Sequence, residues 1–113
     1  MEVTKEIVEK ALELVEVAKT SGKLKKGVNE VTKAVERGTA KIVLVAKDVN
    51  PPEIVMHLGP LCKEKGITLI SVQKREELGT AAGLPVPTVA VAVIDEGDGK
   101  KLLREIMDKA KDE

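Results

Sequence analysis

Asn29, Lys33 and Arg37 stand four residues apart in the run Lys25-Lys26-Gly27-Val28-Asn29-Glu30-Val31-Thr32-Lys33-Ala34-Val35-Glu36-Arg37-Gly38. On a helix each such step turns about 400°, so the three drift little around the axis and form one polar stripe. Val31, Ala34 and Val35 fall on the opposite side and read as its buried face. A helix N-terminus offers unpaired backbone N–H groups and a partial positive charge, which suits phosphate. An amide and a carboxylate placed there, Asn29 and Glu30, can also read the edge of a base. The arrangement suits docking to nucleic acid better than catalysis. Spacing alone leaves a plainer reading open, with Asn29 as an N-cap, Lys33 and Arg37 as a solvated face, and Gly27 as a turn with positive φ.

The other reactive side chains are poorly placed for chemistry. Cys62 is the one cysteine, so no intramolecular disulfide forms, and the pattern Leu58, Leu61, Cys62 makes it a small buried hydrophobe. A nucleophilic thiol needs a base. His57 is the one histidine, and five residues apart on a helix the two do not share a face. Asp95, Glu96 and Asp98 crowd together without a histidine or cysteine, which reads as a solvated acidic turn rather than a metal site. Gly97-Asp98-Gly99 hints at a phosphate turn, but Leu102 occupies the position of the third glycine of a dinucleotide fingerprint. Asp98 as a helix cap is the simpler expectation. Neither a P-loop nor a Ser-His-Asp arrangement is present. No catalytic residue, metal or cofactor is expected.

Composition narrows the partner further. The chain has 19 basic and 19 acidic residues, so it lacks the basic footprint of a general nucleic-acid binder. Any RNA contact must be local and shape-specific, with a shallow salt dependence. Phe, Tyr and Trp are all absent, so bases cannot be gripped by stacking on aromatic rings. The core must be filled with aliphatic side chains, each contributing about 1.5–3 kcal/mol when fully buried. Such a lack marks either an engineered, reduced-alphabet sequence or a natural outlier. The longest strictly apolar run, Val89–Ile94, is far too short to span a membrane, and an intracellular, cytoplasmic protein is expected.

These residues must be positioned by alternating helices and strands. Val3, Ile7, Ala11, Leu14 and Ala18 predict an amphipathic helix over 3–20, ended by Gly22. A second helix is predicted over 29–37, stopped by Gly38. Lys41–Ala46 reads as a buried strand. Asn50-Pro51-Pro52-Glu53 opens a third helix, with Asn50 as cap and Glu53 completing a capping box; Gly59-Pro60 should kink or break it, and Gly66 closes it. Ile67–Val72 is a strand, Arg75–Ala82 a short helix, Leu84–Pro87 a stiff loop and Val89–Ile94 a strand. A last helix turns Leu102, Leu103, Ile106 and Ala110 inward. The alternation predicts an α/β fold, a three-layer α/β/α sandwich with a small mixed central sheet, in one domain over residues 1–113. A monomer is the default for a chain without a large exposed apolar patch.

With the stripe and its flanking segments laid out, the chain resembles a known family. It is similar to the kink-turn RNA-binding proteins of the archaeal large ribosomal subunit, which also serve in box C/D and box H/ACA guide-RNA particles. The resemblance rests on Lys26–Gly38, on Asp48-Val49-Asn50-Pro51-Pro52-Glu53-Ile54-Val55-Met56-His57-Leu58, on Leu61-Cys62 with Glu64-Lys65, and on Leu78-Gly79 with Ala81-Ala82-Gly83. It covers nearly the whole chain in matching order.

The resemblance implies that Asn29 and Glu30 read the tandem sheared G·A pairs of the kink-turn, Glu30 accepting hydrogen bonds from guanine. A carboxylate beside RNA is costly unless a donor meets it, so its presence favours base reading. Lys26, Lys33 and Arg37 would lie along the phosphates, with Gly27 at the turn beneath them. Leu84 and Val86 match the hydrophobic loop over the unstacked bases of the bend, and Arg75 a backbone-contacting basic residue. The implied partner is a kink-turn in ribosomal, box C/D or H/ACA RNA. In guide-RNA particles a Nop-domain scaffold protein also docks. The sequence departs from the pattern at Glu76 and Glu77, where a second basic residue is common, and at Thr80, where a charge is frequent. The strand 67–72 lacks the usual tyrosines, and Pro85 and Pro87 stiffen the capping loop. A rival reading is a scaffold that keeps the architecture but has lost or weakened RNA binding.

Overall fold

The computed structural model describes residues 5–49 and 53–111. α1 (Lys5–Ser21) is followed by β1 (Lys23–Lys26), α2 (Val28–Glu36) and β2 (Ile42–Ala46). Next come α3 (Glu53–Met56), α4 (Leu58–Lys65), β3 (Thr68–Val72), α5 (Arg75–Ala81), β4 (Ala90–Asp95), a 3₁₀ turn at Gly97–Gly99 and α6 (Lys100–Lys111). The strands form a sheet in the order β1-β4-β2-β3. β4 runs antiparallel to both β1 and β2, and β3 runs parallel to β2. The fold is the expected mixed α/β/α sandwich.

β2 explains the layering. All five of its residues are buried, as a central strand covered on both faces requires. Its side chains alternate between two aliphatic cores. Ile42, Leu44 and Ala46 join Ile7, Leu14 and Val15 of α1, Leu78 of α5 and Ile106 of α6. Val43 and Val45 join Val31 and Val35 of α2 and Leu58 and Cys62 of α4. The faces predicted for the first two helices are the buried ones; on α6, Ile106 is buried and Leu102 and Leu103 pack against the core half-exposed. Ala110's side chain, Val3 and the Asn50-Pro51-Pro52 cap lie outside what is described.

Three local expectations are corrected. β1 reads Lys-Leu-Lys-Lys and was not expected as a strand; only Leu24 reaches the core, and its pairing with β4 makes it one. The third helix breaks at His57 rather than at Gly59-Pro60. Proline's ring clashes with the carbonyl four residues back, which here belongs to Met56, the last residue of α3, so the break precedes the proline that causes it. Asp98 does not cap α6. Instead the Ser21 Oγ accepts the Asp98 N–H at 2.9 Å and the Asp95 Oδ1 accepts the Gly97 N–H at 2.9 Å.

Candidate nucleic-acid interface

Strand direction gathers the candidate residues. β1, β2 and β3 run the same way and β4 runs against them, so three carboxyl ends and the amino end of β4 share one end of the sheet. At that end lie Lys26 and the start of α2, the 47–49 segment, the start of α5, and the 82–89 loop. Hydrogen bonds knit them together. The Gly27 N–H donates to the Ala90 carbonyl at 2.9 Å, and the Ala46 N–H to the Val89 carbonyl at 2.9 Å. The Thr88 N–H donates to the Arg75 carbonyl at 3.2 Å. The Arg75 N–H donates to Asp48 Oδ1 at 2.8 Å, and its guanidinium reaches the Asp48 carbonyl at 3.4 Å.

Gly27 is the N-cap of α2, with φ 91°, a conformation costly for any residue with a Cβ. Its own N–H is used on β4, so its part is the turn that aims the helix. No side chain caps α2, and the Val31 N–H is the one that returns to the Gly27 carbonyl. The amide groups of Val28, Asn29 and Glu30 therefore head the helix, the first three of its orphan donors. Asn29 is the second helical residue, not the N-cap, and is exposed beside Glu30. Glu30 and Lys33 stand 4.0 Å apart, both more than half exposed, a pair that water and salt screen almost completely.

The remaining candidates are spread unevenly. Arg75 opens α5 with its side chain exposed. Leu84 packs half-buried against the α1-side core, while Val86 is 60% exposed and is the outward apolar surface of the loop. The two share a shallow hollow of about 180 Å³ with Pro85, Pro87, Glu76 and Thr80. Gly79 fixes this loop. A Cβ there would collide with the Val86 carbonyl oxygen and lie 3.0 Å from Pro87 Cα. Lys33 lies about one turn up α2. Arg37, the C-cap, lies about 12 Å along the axis from Asn29, at 1.5 Å per residue, toward the opposite end of the sheet. Lys26, Gly27, Asn29, Glu30, Arg75 and Val86 thus share one end of the fold, and Arg37 does not.

Asp48 and Thr88 are positioning residues that sequence reasoning missed. Asp48 satisfies the first amide of α5 from another loop, a job usually done by the residue just before a helix; only its spacing from Arg75 in space, not in sequence, reveals it. His57 was likewise expected to be structural, but its partner was not legible. Thr32 Oγ1 donates to the Val28 carbonyl at 2.7 Å, and His57 Nε2 lies 2.8 Å from that Thr32 Oγ1. The hydroxyl has one proton, so Nε2–H is the donor, and it ties the α3–α4 break to α2.

Cys62 is 1% exposed, and burial pushes its thiol up to about 11 from 9.0. The thiolate is the nucleophile, so at pH 8 it is expected to react with iodoacetamide at least about a hundredfold more slowly than an unperturbed thiol, burial from the reagent adding to the loss of thiolate. Mass spectrometry of the native and denatured protein measures this. The sign for stability follows: the burial of Cys62 is tolerated below about pH 9 and opposes folding as pH rises from there toward 11. Among the described residues no three of His, Cys, Asp and Glu are grouped to hold a metal ion. None of the described helices is long and apolar enough to cross a membrane.

The model of the ribosomal protein L7Ae/L30e/S12e/Gadd45 family matches residues 9–103. Among solved structures, the chain is similar to a Giardia lamblia 15.5kD RNA binding protein, with a TM-score of 0.90 and 31% identity over 96% of this chain and 91% of that one. The chain is thus a non-enzymatic member of the ribosomal protein L7Ae/L30e/S12e/Gadd45 family.

Proposed function

We propose that this chain is a structure-specific RNA-binding protein that recognises kink-turns in ribosomal and guide RNAs, with residues 1–113 acting as one binding domain. One observation carries the reading. The uncapped amino end of α2 presents an exposed amide–carboxylate pair, Asn29 and Glu30, on a chain with no net charge. A generic phosphate grip has no use for a carboxylate at its centre; reading guanine edges in sheared G·A pairs does. Family membership and the RNA-binding relative support RNA as the partner class. Lys26, Lys33 and Arg75 then lie along phosphates, Arg37 at the far end of α2 meets only RNA that continues past that end, and Leu84 and Val86 belong to the loop over the unstacked bases. A Nop-domain scaffold protein is the second partner in guide-RNA particles, and the cytoplasm the site of action. The archaeal large-subunit proteins are the branch proposed, and the aromatic-free composition is read as engineering of such a member.

Calorimetric titration with a kink-turn and with a plain duplex of equal length tests this. Preference for the kink-turn by about a hundredfold or more is expected, with log K falling against log salt at a slope of about −2 to −3 for three phosphate contacts. Equal affinity for both RNAs overturns the reading. Binding to neither favours the scaffold alternative, for which Glu76 and Glu77, both exposed beside Arg75, speak as local repulsion of phosphate.

A further inference from the structure

The two edges of the sheet are built differently. β1 forms one edge and β3 the other. β1 carries three lysines in four residues, and charge of one sign along an edge keeps a second strand from pairing with it. β3 and its flanks read Ile67-Thr68-Leu69-Ile70-Ser71-Val72-Gln73, with no charge and no proline. Short, uncharged, β-prone stretches of this kind recruit further strands. The Lys47 N–H donates to the Val72 carbonyl at 2.8 Å, so Val72, and with it Ile70 and Thr68, turn their backbone groups toward β2. In a parallel ladder the alternate residues, Leu69 and Ser71, then aim N–H and C=O away from the sheet. Among the described residues no backbone hydrogen bond outside the ladder reaches them.

Beside this edge the first turns of α1 stand over a cavity of about 340 Å³, with Lys5, Val8, Glu9 and Leu12 on one side and Ser71 and Gln73 on the other. Its four charged lining residues are two lysines and two glutamates, so it offers neither an anion nor a cation a net attraction.

We propose that β3 pairs with β3 of a second copy of this chain, antiparallel about a two-fold axis, joining the two sheets edge to edge. A two-fold contact matches a surface to itself. Uncharged edges meet without repulsion, and the lining beside them, two lysines and two glutamates, adds no excess of one sign to the seam. Pairing of β3 with another copy's β1 would line up the lysines of β1 without a countercharge. The β3 contact replaces the expected monomer and does not rest on the RNA reading, since self-association of the free protein tests it; β1 and α2 lie toward the other edge of the sheet, while Arg75 follows β3 by three residues.

Sedimentation velocity from micromolar to near-millimolar protein tests it. A dimer is expected at the upper end, and Ser71→Lys, which copies the guard found on β1, is expected to weaken association by about tenfold or more through like-charge juxtaposition. Ser71→Pro removes an outward donor but no bond to β2, and is expected to act alike. Thermal melts establish that each variant is folded. Amide exchange on the parent decides should either variant unfold. The Leu69 and Ser71 amides should gain protection with concentration, while those of Ile70 and Val72 are protected throughout. A parent that stays monomeric, or a dimer that both folded variants leave intact, or Leu69 and Ser71 amides indifferent to concentration, overturns the proposal.

Discussion

Glu30→Ala is expected to weaken kink-turn binding by about 3 kcal/mol, roughly 150-fold, because base donors buried against the protein lose a charged acceptor. Stability should change by at most about 1 kcal/mol, the worth of a carboxylate in the first turn of a helix, since the Glu30–Lys33 pair is exposed. The sign of the binding effect is diagnostic. If attraction to phosphate dominated, deleting a negative charge would tighten binding. Glu30→Gln keeps one acceptor and should fall between parent and alanine variant. Isothermal titration calorimetry with one kink-turn, beside a thermal melt of each free protein, measures both quantities. Tighter binding by Glu30→Ala would place the carboxylate outside the interface.

Gly79→Ala is expected to destabilise the protein by about 1–3 kcal/mol, as overpacking does. On an open helix surface the same change stabilises, by up to about 1 kcal/mol. The opposite sign follows here because the added methyl meets backbone, the Val86 carbonyl and Pro87 Cα, and backbone cannot rotate away. Relief must come from moving the 84–87 loop, so affinity for RNA should fall with stability. Thr80→Ala is the control: Thr80 is exposed on the same helix and its hydroxyl bonds only locally, to the Glu76 carbonyl at 3.0 Å. Denaturant titration of the two variants gives the comparison. A Gly79→Ala variant as stable as the parent would mean that the loop yields freely.

The parts of this molecule legible in its sequence are those where one local signal decides the outcome. Val31, Ala34 and Val35 had to share a helix face, and β2 had to be covered on both sides because every residue in it is apolar. The layered fold followed from the alternation of such segments. β1 was illegible because three of its four residues are lysines; it is a strand only by virtue of β4 beside it. The break falls at His57, three residues before Pro60, because proline acts on the carbonyl four residues back. Asp98 suits a cap of α6 by its place in the sequence, but it lies in the 3₁₀ turn ahead of that helix, where its own N–H is taken by Ser21, 77 residues away. The candidate site divides in the same way. Asn29 and Glu30 were visible from helix position. Asp48 and Thr88, which hold Arg75 in place, depend on strand order, and the separation of Arg37 from the rest depends on where α2 ends relative to the sheet.

The all-aliphatic interior has an optical consequence. With no indole or phenol anywhere in the chain, the protein neither absorbs strongly nor emits in the near ultraviolet. That window belongs wholly to the nucleic acid, and a fluorescent base analogue placed at the bend reports stacking against a dark background. A lone tryptophan installed at Val86, outward-facing on its loop, becomes the sole emitter in the complex.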